Sequence, residues 1–180
     1  VTGFGTGTQC VGCHRGHSVL PVPDNYATAL RFNASPSAKV TASSVAPGTA
    51  GERAAVDRRA RGNPARVGWI ADSNAGQWVR LEWQTPIEVD TLILYALRRR
   101  WPDSDLNVRE VEVALIRGGQ IVATEKVRGE LAPHGTRIPL RGTRVDAVEV
   151  RPLRSSGNVL GHPRVGIAEI ETRARIAIDR

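Results

Sequence analysis

The sequence predicts an all-β sandwich, on three observations. Short apolar or alternating runs recur between residues 39 and 173. Gly- and Pro-containing turns separate them at the spacing of a sandwich. No stretch carries the 3.6-residue apolar period of a long amphipathic helix. At 180 residues the chain has room for one such domain and a short appended segment.

The elements follow in order. Residues 39–44 form a short β-prone run. Residues 50–61 have room for one or two helical turns. In residues 77–83, Val79, Leu81 and Trp83 point one way, and Trp78, Arg80 and Glu82 the other. Residues 89–96 are almost continuously apolar, as a strand at the centre of a sandwich would be. Residues 109–117 and 120–127 flank Gly118-Gly119, a two-residue hairpin signal. Residues 145–151 alternate, with Val145, Ala147 and Glu149 opposite Asp146, Val148 and Val150. Residues 166–173 close the series.

The composition is 41% hydrophobic and 24% charged, which excludes a disordered tail or a collagen-like fibre. The formal charge is +7, and Lys39 and Lys126 are the only lysines among 25 basic residues. The arginines are spread along the chain instead of interleaving with aromatics. They therefore fit anionic partners better than a nucleic-acid strip. No apolar run is long enough for a membrane-spanning helix. Neither a nucleophile elbow nor a paired-carboxylate motif appears, so a hydrolase reading finds no support; the sequence reads as a carrier or binding protein, or as a piece of a larger oxidoreductase. The chain begins at Val1, as either a cleaved signal peptide or a fragment of a longer chain would.

Residues 1–36 differ from the rest. A Gly/Thr-rich start leads into Cys10-Val-Gly-Cys13-His14-Arg-Gly-His17, and Pro21 and Pro23 then interrupt the chain. A segment this short needs a metal, cofactor or partner to hold it. The expected division is 1–36 as an irregular cofactor-bearing arm and 37–180 as the sandwich. Cys10, Cys13 and His14 have the form of a c-type haem attachment site. Two thiols at this spacing add to the porphyrin vinyls, and the next residue offers its imidazole to iron. The motif resembles that of c-type cytochromes, over these five residues only. A zinc site using Cys10, Cys13 and His17, or a disulfide, are the other readings. With no Met in the chain, His/Met ligation within it is impossible. His162 is the best distal candidate within the chain, and His134 in its Pro-His-Gly turn is second. His17, three residues beyond His14, is placed to serve a neighbouring haem, as in closely packed multihaem cytochromes. Covalent haem also implies export, to the periplasm or beyond.

The sandwich resembles the discoidin, or coagulation factor 5/8 type C, family of galactose-binding-like jelly rolls. The matching stretches are Val40-Thr-Ala-Ser-Ser44, Ala55-Val-Asp57, Trp69, Gly76-Gln-Trp-Val-Arg-Leu-Glu82, Pro86-Ile-Glu-Val-Asp-Thr-Leu-Ile-Leu-Tyr95 and Val165-Gly-Ile-Ala-Glu-Ile-Glu171, in order over residues 33–178. The resemblance implies an eight-stranded jelly roll with adjacent termini and end loops that bind glycans, lipid head groups or protein surfaces. It also implies a calcium site using Asp57, backbone oxygens of the following loop, and Glu169. The arginines after Asp57 could instead neutralise both carboxylates. The loop best suited as a sugar platform is Arg98-Arg-Arg-Trp101-Pro-Asp103, which reads first as a solvated charged loop.

Together these readings give a monohaem c-type cytochrome domain for electron transfer. It would be bis-His ligated and packed against other cytochromes or redox subunits in an oligomer or larger assembly. The alternative is a carbohydrate- or surface-binding discoidin module in which the CxxCH is structural.

Overall fold

A computed structural model describes residues 31–60, 66–97, 107–156, 158–159 and 162–176. The chain divides between Leu30 and Arg31 into two units, and all the described elements belong to the second. In chain order they are β1 (Phe32–Asn33), a 3-10 turn (Ser35–Ser37), β2 (Lys39–Ala42), a 3-10 helix (Glu52–Val56), β3 (Trp69–Ile70), β4 (Val79–Ala96), β5 (Asn107–Arg117), β6 (Gln120–Arg128), β7 (Thr136–Ser156), β8 (Asn158–Val159), β9 (His162–Pro163) and β10 (Gly166–Ile176).

The strand order is β1-β10-β4-β7-β5-β6, with β2 also on β4 and β3 on β10. Eight strands are joined by hydrogen bonds, and β8 and β9 form a separate ribbon. Every pairing among them is antiparallel. This is the β-sandwich that the discoidin resemblance implies. Its layers share two long strands. The first part of β4, with β2, β7, β5 and β6, makes one layer, and its second part, with β10 and the start of β7, makes the other. The β4–β7 register breaks between Glu82 and Ile87, around Pro86. A proline cannot donate to the ladder and turns the strand instead.

Inward-facing residues of both layers fill one core, with Trp69, Leu81, Leu92, Leu94, Leu115, Ile167 and Ile170 fully buried. Val79, Leu81 and Trp83 lie in this core, on the face the alternation assigns them. In β7 the periodicity shifts. Val145, Val148 and Val150 join the core, while Glu149 faces out to pair with Arg80 and Arg151. Residues 145–151 therefore do not hold a single alternating phase. At the β5–β6 hairpin, Gly118 and Gly119 have φ of 57° and 77°. Two successive left-handed residues are what a tight two-residue hairpin turn demands.

Residues 31–36, assigned by the sequence to the arm, are built into the sandwich. Phe32 and Asn33 pair with Ala174 and Arg173. Asn33 Oδ1 accepts from the Thr172 amide at 3.1 Å, and buried Trp83 donates its indole N–H to the Ala34 carbonyl at 2.9 Å. The first and last of the described strands are thus neighbours, as a jelly roll requires. Among the described residues no helix is long and apolar enough to cross a membrane.

Candidate functional site

Loops from three parts of the chain are tied together at one end of the sandwich. Trp69 Nε1 donates to the Ser44 carbonyl at 2.8 Å. The Ala46 amide donates to Ile70 O and the Ala71 amide to Val165 O, both at 2.8 Å. Gln77 organises the surface of this cluster. Its Oε1 accepts from Ser43 Oγ at 2.7 Å and Ser44 Oγ at 2.5 Å. Its Nε2 donates to Ser73 Oγ at 2.7 Å and to Ala75 O at 2.9 Å. A single amide thus fixes residues 43–44 against residues 73–78. Ser43, Ser44 and Gln77 fall within two of the stretches that carry the family resemblance, but nothing in the sequence assigns them a role. The signal available was two small hydroxyl residues and a strand-opening glutamine.

The carboxylates Asp57 and Glu169 are brought together beside this end. Glu169 is 1% exposed. Its Oε2 accepts the Arg58 amide at 3.0 Å, while its Oε1 is buried with no hydrogen-bond partner. Burial, followed by the negative charge of Asp57, raises its pKa to about 8; the backbone N–H groups of Arg58 and Arg59 oppose that shift. Asp57 Oδ1 accepts the Arg59 amide at 2.9 Å, and the Arg59 guanidinium stands 4.0 Å from Oδ2. Among the described residues the arginines therefore reach Glu169 through their backbone and not through their guanidinia. No third His, Cys, Asp or Glu joins the pair among the described residues.

The histidine candidates stand apart from this end's hydrogen-bond cluster. His162 lies in the β8–β9 ribbon opposite Val159, and its side chain is exposed. His134 is exposed in a turn. Cys10, Cys13, His14 and His17 lie outside the described residues, as does the 98–106 loop with Trp101.

A concave feature lies on the outer face of the layer that holds β2, the first part of β4, β7, β5 and β6. An open groove of about 450 Å³ runs between Gly76–Arg80 and Glu149–Leu153. Trp78 walls it, with the Arg80 guanidinium 5.5 Å from the indole centroid. An alternating row of charges crosses β2, β4, β7, β5 and β6 beneath it. Lys39 is 3.9 Å from Glu82 and Arg80 3.9 Å from the same carboxylate. Arg80 Nε donates to Glu149 Oε2 at 2.7 Å and Arg151 Nε to Glu149 Oε1 at 2.5 Å. Glu112 receives Arg151 Nη1 and Lys126 Nζ, each at 3.2 Å. The hydrogen bond to Glu149 strengthens the hold of Arg151 on its proton. The alternation placed Trp78 and Arg80 on this outer face but could not reveal the groove, because its other wall comes from β7.

A family model described as a domain of unknown function, DUF7402, matches residues 33–172. The chain belongs to the DUF7402 family. No curated protein matches this DUF7402 sequence. Several solved structures share its fold. One is a fucose-binding module of Streptococcus pneumoniae, 18% identical with a TM-score of 0.62, covering 79% of this chain and 95% of that one. Another is the lectin domain of lectinolysin complexed with Lewis B antigen, 15% identical with a TM-score of 0.59, covering 78% and 95%. A third is the family 32 CBM from C. perfringens NanJ in complex with galactose, 13% identical with a TM-score of 0.59, covering 80% and 99%. At these identities the likeness establishes the fold of the DUF7402 domain and nothing finer.

Proposed function

We propose that the DUF7402 sandwich is a carbohydrate-binding module and that the segment before it carries one covalently attached haem c. The chain would then hold a redox cofactor at a glycan-bearing surface outside the cytoplasm. The observation that carries the binding half is the sandwich with its hydrogen-bonded loop end, the fold of modules solved with galactose and with Lewis B antigen. Those ligands belong to the neighbours; for this chain they supply the class to be tested.

The haem half rests on Cys10-x-x-Cys13-His14. These residues would hold the porphyrin through two thioether bonds and give iron its proximal nitrogen. When bound, the haem would supply one-electron transfer. His162 is exposed, so it is available to the iron of a neighbouring chain or cytochrome, and His17 is the other distal candidate. Calcium would take Asp57, Glu169 and backbone oxygens. The partnerless buried Oε1 of Glu169 suits a hard cation.

Two measurements on the exported, purified chain test the proposal. Glycan-array binding is expected, and a folded chain that retains no glycan overturns the binding half. A Soret band and a covalent mass increase of one haem are expected. A colourless chain with the mass of the bare polypeptide overturns the haem half.

A further inference from the structure

We infer that the outer-face groove between Trp78 and Leu153 is a saccharide subsite for a pyranose bearing a carboxylate, a uronic acid. This inference rests on the carbohydrate reading and deepens it, by naming the ligand class and placing it on the outer face of β4 and β7, next to the Gln77 loop cluster.

The groove has two kinds of surface. Trp78, Pro152 and Leu153 give an apolar wall and floor. Leu153 is 42% exposed, one of four large apolar side chains left in solvent among the described residues. A pyranose presents a C–H face to such a surface, and indole is the best π-face for it. Arg80 and Arg151 stand on the polar side. Their pairing leaves specific donors unused. Both oxygens of Glu149 are taken, Oε2 by Nε and Nη2 of Arg80 and Oε1 by Nε of Arg151. Arg151 Nη1 goes to Glu112, and these bonds do not use its Nη2. Arg80 Nη1 has only the 3.9 Å approach to Glu82.

Charge then selects the ligand. The row holds four cations (Lys39, Arg80, Arg151 and Lys126) against three carboxylates (Glu82, Glu149 and Glu112). Glu149 is 2% exposed and committed to the arginines, so it orients them and offers no acceptor to a sugar hydroxyl. What faces the groove is guanidinium N–H, with excess positive charge and an aromatic wall. Planar guanidinia match a carboxylate in geometry as well as charge. A neutral sugar would leave those donors without an anionic acceptor.

The test follows the full chain by amide and indole NMR during titration with a galacturonate trimer and, separately, a neutral galactose trimer. Trp78→Phe assigns the Trp78 indole resonance. The uronate is expected to move that resonance and those of Gly76 and Leu153, and the neutral trimer to leave them in place. Arg151→Lys keeps a cation beside Glu149 but removes the spare guanidinium N–H; it should weaken uronate binding by at least about tenfold. The inference is overturned if uronate shifts avoid Trp78, if the neutral trimer moves Trp78 equally, or if Arg151→Lys binds as before. Binding confined to other residues would sink the groove and leave the carbohydrate reading standing. Absence of any carbohydrate binding would remove both.

Discussion

The main-chain N–H of Arg58 donates to Glu169 Oε2 at 3.0 Å, across 111 positions of sequence. Arg58 makes this bond at φ 68°, in the left-handed region. A non-glycine residue pays roughly 1 kcal/mol or more for that conformation. The loop after Asp57 is thus held in an unfavourable backbone shape with its amides turned onto a buried carboxyl.

Stability should depend on pH through Glu169. Its pKa is raised from 4.5 to about 8 in the folded chain. Between those values the folded state keeps a proton that the unfolded state has released. Stability therefore falls as pH rises through that window and levels off above it, by up to about 1.4 kcal/mol per pH unit. Glu169→Gln cannot ionise and should lose the slope. Urea melts in chelator across the window, for both proteins, measure it; equal slopes would refute the assignment.

Calcium should act on the same carboxyl with the opposite sign. A bound cation favours the ionised form and stabilises the folded state by mass action. Near pH 8, millimolar calcium is expected to raise Tm in the natural chain and leave Glu169→Gln unchanged. A titration followed by calorimetry checks this. No heat and no Tm change would remove the calcium reading.

Two glycines should respond very differently to alanine. Gly68 has φ +80°, and a Cβ there would lie 2.6 Å from Ala168 Cα and against the Ile167 carbonyl oxygen. Both obstacles are backbone of a central strand and cannot swing aside. Gly68→Ala should cost about 3 kcal/mol or more. Gly76 has φ +66° with nothing within 4 Å of the added Cβ, so Gly76→Ala should cost only the conformational penalty, about 1 kcal/mol. Chemical denaturation of the pair separates close packing from φ alone.

These contrasts show what the sequence could reveal. The Gly118-Gly119 hairpin and the strand phase at Val79–Trp83 were legible because turn chemistry and period-two burial are local. The first half of β7 was not. No strand is expected from the sequence at residues 136–144, which carry Pro139 and Gly142, yet Thr91 pairs with Pro139 where β7 has β4 alone as a neighbour among the described strands. An edge tolerates a missing donor. Glu169 was reached only through a family resemblance, because its partner, the Arg58 amide, is backbone and leaves no mark on residue type. The groove needed two strands far apart in sequence. Cys10, Cys13 and His14 are the reverse case: a motif plain in the sequence that lies outside the described residues.

The charge row should be strong at its centre and weak at its rim. The Glu149 side chain is 3% exposed between Arg80 and Arg151. Arg151→Ala would leave that buried carboxylate with one guanidinium and should cost about 2 kcal/mol. The Arg128 side chain is 87% exposed at 3.8 Å from Glu110, and Arg128→Ala should not measurably change stability. Urea midpoints at low and high salt check both, and the central variant should keep its deficit in salt.

The domain boundary yields the last prediction. Ala34 accepts the buried Trp83 indole N–H at 2.9 Å and donates its own amide to Thr172 O at 2.8 Å. Ser35 Oγ accepts the Thr172 amide at 2.8 Å. A chain starting at Arg31 keeps these bonds and should unfold in one cooperative transition. A chain starting at Lys39 loses them all, orphans a buried indole N–H and uncovers the edge of β10. Each buried donor left unsatisfied costs about 1–3 kcal/mol, so the shorter chain should be several kcal/mol weaker or unfolded. Trp83→Phe in the longer chain isolates one bond and should cost about 1–2 kcal/mol. If both truncations melt alike, residues 31–38 are not part of the cooperative sandwich, and the boundary belongs near residue 37, where the sequence put it.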